Sequence, residues 1–439
     1  MTDLPRGWIR TKLGAVCKIV SGSTPRSTEP RYWGGQVPWI TPDDLSRHTT
    51  QMIAFGRRSI SDEGYASCST QMVPPGTVLY TSRAPIGYLA IASQTVCTNQ
   101  GFKSLIPPDG LSSKYLYWYM RYVTQEVRSR ASGTTFEEIS GRAMAEVPLV
   151  LAPQQEQVRI VAAIEEQFSR LDAASEALAR LPRRLDGMRR TLLAAMVAAD
   201  WPTVVLQDVA ETRLGKMLSR KSKTGSGELP YLRNQNVQWG RFDLRDVSVM
   251  NFGSGERERF RLEAGDLLVC EGGVVGRCAL WEEQLQECYY QKALHRIRPS
   301  GAVRAKWIAM VLEHFAYEGL LSPHSGGITI QHLPQEDLRR LAIPLPPLHN
   351  QDEMISRLEA YAVIADATKA VLTSSAQRAN TLRASVLARA FSGRLVPQNP
   401  KDEPASALLK LMATELTMSN GDRATSARKP RAAKLKVPA

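Results

Sequence analysis

The string Arg233-Asn234-Gln235-Asn236 sets a guanidinium and three carboxamides side by side. Their forked donors and acceptors suit the guanine and adenine edges displayed in the DNA major groove. Around it, Arg213, Lys216, Arg220, Lys221, Lys223 and Arg241 outnumber Glu211 and Glu228, interleaved with Gly and Ser, and such a local excess can neutralise phosphates. Arg277, Gln291, Lys292, His295 and Arg296 are further candidates. Earlier in the chain, Arg26 and Arg31 occur in the loop SGSTPRSTEPR, Ser82 and Arg83 in the turn TSRAP, and Asn99, Gln100 and Lys103 shortly after. Singly, each could satisfy an ordinary turn. Their presence at matched places in two halves of the chain favours binding.

The motifs of self-contained catalysis are missing. Gly215-Lys216 has no glycine five residues ahead and is followed by Met217, so it is no phosphate loop, and there is no HExxH. Neither a GxSxG elbow nor a dinucleotide fingerprint occurs. Asp43-Asp44 in TPDD reads as a turn or helix cap. The six cysteines, Cys17, Cys68, Cys97, Cys270, Cys278 and Cys288, form no CxxC and read as buried thiols, leaving no metal site to expect. A nuclease reading ranks last, as no metal-binding carboxylate constellation is evident.

The 439 residues exceed one ordinary domain, and 43% hydrophobic content is enough for packed cores. No apolar run reaches the roughly 20 residues that span a bilayer, and the opening MTDLPRGWIRTK carries no signal peptide, so a cytoplasmic protein is expected. The net charge is +13, and residues 393–439 contribute nine Lys and Arg against four Asp and Glu. The stretch from Arg423 onward reads as a solvated, disordered basic arm.

What must position the candidate residues is written twice, with a period near 193 residues. Trp8, Leu13, Val16 and Gly22 recur as Trp201, Leu206, Val209 and Gly215. VPWI at 37–40 recurs as LPYL at 229–232, Gly76 and Gly87 as Gly265 and Gly276, and Cys97 with Gln100 as Cys288 with Gln291. Tyr115 and Leu116 return as Trp307 and Ile308, and Ser132-Gly133 as Ser325-Gly326. Runs at Thr77 to Tyr80, Tyr88 to Ala92, Asp266 to Val269 and Cys278 to Trp281 are bounded by Gly or Pro and predict short strands. Tyr115, Trp118 and Tyr122 share a helical face and read as core rather than as a base-stacking platform.

Each half closes on a helical stretch with apolar residues seven apart: Ile164, Leu171, Leu178, Leu185 and Leu192, then Leu358, Ala365, Leu372, Ala379 and Val386. A sustained heptad marks a coiled-coil seam. Leu348 to Ser392 holds neither Gly nor Pro and stops at Gly393, whereas Pro182 and Gly187 predict a kink or break in the first stretch. The simplest closed arrangement packs the two side by side and antiparallel. The expected fold is therefore α+β: two pseudo-repeated mixed α/β domains (1–152 and 200–346) joined by long antiparallel coiled-coil helices (153–199 and 347–395), then a C-terminal segment (396–439).

The opening WIRTKLGAVCKIVSGSTP, the strings GKML, YLRNQNVQWGRFDL and EGGVVGR, the helix EQVRIVAAIEEQFSRLDA and the ending LRASVLARAFSGRLVPQNPKDEPASALL together resemble the specificity subunit of type I restriction-modification enzymes. The likeness covers residues 5 to 411. It implies two target-recognition domains, each reading one half of a split asymmetric site in double-stranded DNA, with spacer helices that set the unread gap. It also implies docking of methyltransferase subunits, two of them, and of motor-nuclease subunits. The chain itself would then catalyse nothing and bind no cofactor, with S-adenosylmethionine, ATP and Mg on the partners. A stand-alone DNA-binding regulator and a coiled-coil scaffold are the alternatives: the first predicts tight specific binding by the isolated chain, the second no salt-dependent DNA affinity.

Overall fold

A computed structural model of the chain describes residues 4–133, 137–218, 228–321 and 332–412. The fold divides into two compact units, Met1–Glu176 with Ser375–Ala439, and Ala177–Ser374. Both long helical stretches therefore contribute one part to each unit.

In the first unit a five-stranded sheet runs in the order Lys18–Ser21, Lys103–Ile106, Val78–Tyr80, Leu89–Ala92, Met52–Ile53. A three-stranded sheet places Trp33–Ile40 between Arg58–Ile60 and Cys97–Thr98, antiparallel to the first and parallel to the second. Val78, Tyr80, Ile91 and Leu105 of the five-stranded sheet share a core with the helix Ser113–Ser129, whose Tyr115, Trp118 and Tyr119 are buried while Tyr122 is 42% exposed. Phe391 seats against Tyr115, Tyr119 and Tyr122 at ring separations of 5.0–5.4 Å. The same core takes Ile160, Ile164 and Phe168 from the helix Gln154–Ala179 and Val386, Leu387 and Ala390 from Leu348–Phe391. Arg383 of the long helix binds Asp172, and Asp402, beyond the end of that helix, binds Arg159.

The second unit repeats the plan. Its four-stranded sheet orders Ala210–Leu214, Leu294–Pro299, Leu267–Cys270, Cys278–Leu280, and its three-stranded sheet sets Glu228–Leu232 between Ser248–Asn251 and Tyr289–Tyr290. Trp307 replaces Tyr115. Its indole donates to the Pro344 carbonyl at 2.8 Å, where the Tyr115 hydroxyl donates to Val150 at 2.9 Å. The pairing registers correct one part of the repeat: Trp39 pairs with Cys97 and Tyr231 with Tyr289, so Cys97 corresponds to Tyr289 and Asn99 to Gln291, one residue off the Cys97–Cys288 match. Here too the helical segments pair, with the Tyr361 hydroxyl on the Leu185 carbonyl and Lys369 at 3.7 Å from Asp186.

The break in the first helical stretch falls at Arg180, between helices Gln154–Ala179 and Leu181–Val197, and Pro182 sits in the opening turn of the second, where its missing N–H costs no helical bond. Gly187 is helical. The other helix runs unbroken over Leu348–Phe391 and ends at Gly393, whose φ of +68° suits a helix terminator. Along the heptad, Ile164, Leu358 and Val386 are buried and Leu171, Leu185, Leu192 and Leu372 half-buried. Leu178 is the departure, 36% exposed beside the break, where the regular seam is interrupted. Ser325-Gly326 and the basic arm lie outside the described residues.

Candidate nucleic-acid interface

Two indoles pin the loop after Gly22. Trp39 Nε1 donates to the Ser23 carbonyl at 3.1 Å and Trp33 Nε1 to the Arg26 carbonyl at 3.2 Å, and the rings meet edge to face at 5.1 Å. The Thr24 hydroxyl donates to Gln100 Oε1. Glycine is needed at 22, because a Cβ there would lie 2.1 Å from the Asn99 carbonyl oxygen. The result is one surface carrying exposed Arg26 and Gln100. Arg31 is also exposed but faces Glu29 and Glu63 at 3.3 and 3.8 Å. Asn99 turns toward its own backbone, accepting the Gly101 N–H at 2.9 Å.

Ser82, Arg83 and Lys103 form a second group around Glu138, which lies 3.4 Å from the Arg83 guanidinium and 3.3 Å from Lys103 Nζ. Of these DNA-binding candidates, Ser82 and Lys103 have buried side chains. Arg83 keeps partial exposure.

In the second unit Asn236 is buried as well. It is 1% exposed, accepts the Arg233 N–H at 2.9 Å and donates to the carbonyls of Asp243 and Asp246 at 2.9 and 2.8 Å. In the first unit Asp44 fills this role, accepting the Thr41 N–H at 2.8 Å in a capping box. RNQN and TPDD are thus one capped turn built from different side chains.

The remaining candidates of this unit fall into three clusters. Arg233 reaches Asp246 at 2.9 Å, Asn234 donates to the Gly272 carbonyl at 3.1 Å, and Arg277 donates to the Asn234 carbonyl at 2.8 Å, knitting the turn to the neighbouring loop. Lys216 is held by Glu256 and the Asn251 carbonyl, both at 2.6 Å, over the Phe252 ring. Lys292 beside it is exposed, and Gln291 is half-buried with its carbonyl 2.3 Å from where a Cβ on Gly215 would lie. The Arg296 side chain is 4% exposed and bonds Glu211 at 3.0 Å, with Arg213 on the same carboxylate at 2.9 Å. His295 is buried, donates from Nε2 to the Leu333 carbonyl at 2.8 Å, and is held below its ordinary pKa by burial. Arg241 is exposed. Arg220, Lys221 and Lys223 lie outside the described residues.

The family model for the type I restriction modification DNA specificity domain matches twice, over residues 5–181 and 198–373. The chain belongs to this specificity family. The specificity subunit of the type I restriction enzyme MjaIX from Methanocaldococcus jannaschii is 40% identical over 36% of this chain and 37% of its own length, so the chain spans little more than a third of that relative. The EcoBI specificity subunit of Escherichia coli is 22% identical over 95% of this chain and 94% of its own. Among solved structures, a chain from work on complex assembly and conformational transition of the type I R-M system shares the fold with a TM-score of 0.69, at 17% identity, over 90% of this chain and all of that one. The HsdS subunit from Thermoanaerobacter tengcongensis follows at 0.61 and 19%, over 90% and 98%.

Within this specificity-family chain, the residues that sequence reading passed over are carboxylates: Glu138, Asp246 and Glu256, each neutralising candidate cations, while Glu211, read only as a charge within the basic stretch, pairs with Arg296. Most are remote in sequence, and periodicity carries no signal for them. It also passed over Trp33, Trp39 and Arg58, whose grouping depends on strand pairing.

Proposed function

We propose that this chain addresses a type I restriction-modification complex to DNA. The globular part of each unit reads one half of a split, asymmetric site, and the two long helical stretches fix the gap and carry two methyltransferase subunits, to which motor-nuclease subunits add. Methyl transfer, with S-adenosylmethionine, and DNA cleavage, with ATP and Mg, belong to those partners, and the work takes place in the cytoplasm. The carrying observation is the repeat of one strand order in two units whose exposed side chains differ: Arg26 and Gln100 in one, Arg241 and Lys292 in the other. Two unlike readers in one chain suit an asymmetric site without a dimer.

Co-expression with its methyltransferase subunit, followed by mapping of adenine methylation, tests this. A split motif methylated only when this chain is present is expected. A complex that forms and methylates without sequence preference would overturn it.

A further inference from the structure

The three-stranded sheet of the first unit contains a bulge. Trp33 and Val37 both stand opposite Ile60, with Gly34 between them at a φ of +78° that a β-carbon would strain. On an unbroken strand, six residues would set Trp33 and Trp39 about 20 Å apart. The bulge instead brings their rings to 5.1 Å. Arg58, directly opposite Trp39, lays its guanidinium on this pair, 3.6 Å from the Trp33 ring centroid and 6.0 Å from that of Trp39.

Neighbouring arginines are neutralised, Arg31 by Glu29 and Glu63 and Arg57 by Asp43 and Asp44. Among the described residues, the exposed Arg58 guanidinium has neither an ion pair nor a hydrogen bond, only the ring beneath it. A stacked guanidinium keeps its in-plane N–H fork free, and that fork matches the O6 and N7 acceptors of guanine. The stack also removes rotamer freedom before any ligand arrives, which lowers the entropic cost of binding. The indole beneath Arg58 bonds the Arg26 carbonyl, so the platform is continuous with the loop of Arg26 and Gln100.

Among the described residues, the second unit has no arginine stacked in this way on its three-stranded sheet. Ser248 stands opposite Tyr231 exactly where Arg58 stands opposite Trp39, and a hydroxyl cannot span a guanine edge bidentately. We infer that Arg58, held over the Trp33 ring, reads a guanine in the half-site of the first unit only. This rests on the DNA-addressing role proposed above.

The test uses full-length chain in complex with its methyltransferase subunit and compares wild type, Arg58→Ala and Arg58→Lys by methylation mapping. Arg58→Ala is expected to lose roughly ten- to a hundredfold discrimination at one guanine of one half-site, with the other half-site and the gap unchanged. Arg58→Lys, which keeps the charge but not the fork, should relax the same position. Trp33→Leu, which removes the platform and leaves Arg58, should relax it less. Unchanged stringency in Arg58→Ala, from a complex that assembles normally, would overturn the assignment. So would an even loss at all sites restored by Arg58→Lys, the mark of a phosphate contact. A wild-type complex with no split motif would overturn the addressing role itself, and this assignment with it.

Discussion

Gln157 and Gln351, 194 residues apart, make the same three hydrogen bonds in their respective units. Gln157 accepts the Ser112 N–H at 3.0 Å and donates to the carbonyls of Ala152 and Gly110 at 3.0 and 3.4 Å. Gln351 accepts the Arg304 N–H at 2.8 Å and donates to Pro346 and Ala302 at 2.8 and 3.4 Å. Both are fully buried. Each ties the first turn of a long helix to the start of the shorter helix in the core of its unit.

Replacing either by leucine leaves a buried N–H and carbonyls without partners, at about 1–3 kcal/mol for each unsatisfied group. Gln157→Leu and Gln351→Leu should each destabilise the chain by about 3 kcal/mol or more, seen as a lower denaturation midpoint in urea. A midpoint within error of wild type would show that the clamps do not hold the helix starts.

Asn236→Ala separates a cap from a reader. It is expected to cost about 1 kcal/mol of stability, as lost caps do. In methylation mapping the variant should keep the wild-type motif. Relaxation at one base with unchanged stability would reinstate Asn236 as a direct reader.

Lys103 and Glu138 make a second case. Glu138→Gln leaves the buried Lys103 ammonium without its counter-charge. Because Glu138 is itself 35% exposed, the cost is expected near the lower range for such pairs, about 2 kcal/mol. Lys103→Met with Glu138→Gln should recover most of it, since an apolar side chain then fills the site. A double-mutant cycle with no coupling between the positions would show that the pair contributes nothing.

These examples show what the linear chain discloses. The helix Leu348–Phe391 was legible because a heptad without Gly or Pro has one compact solution, and the strands because Gly and Pro bracket them. Opaque was everything decided by partners distant in the chain. Arg296 looks like a phosphate ligand until Glu211, 85 residues earlier, is brought to 3.0 Å by strand pairing. RNQN looks like a base-reading string until its backbone proves to be the capped turn of TPDD. The Cys97–Cys288 match was pulled one residue off by the identity of the two cysteines, whereas pairing places Tyr289 beside Tyr231. Arg58 went unseen because its platform needs a bulge, which no hydrophobic pattern encodes.

His295 gives a pH signature. Its folded pKa lies below the ordinary 6.5 because burial disfavours the imidazolium. The unfolded chain therefore takes up the proton first, and stability falls as pH drops below about 6.5. The melting temperature should decline between pH 7 and 5.5, and His295→Gln, which can keep the bond to the Leu333 carbonyl, should flatten the decline. An identical slope in wild type and variant would locate the pH dependence elsewhere.

In the proposed role, the helices set the gap between half-sites, so their length should tune it. Four residues inserted into each long helical stretch, one after Leu178 and one after Leu372, add about 6 Å to each at 1.5 Å per residue. At about 3.4 Å per base pair that corresponds to roughly two more base pairs. The altered complex should methylate a motif with both half-sites unchanged and the gap widened by one or two base pairs, since the insertions leave each recognition surface and its clamping glutamine intact. A methylated motif with its original gap would show that the helices do not measure the distance, and altered half-sites would show that the insertion reached the readers.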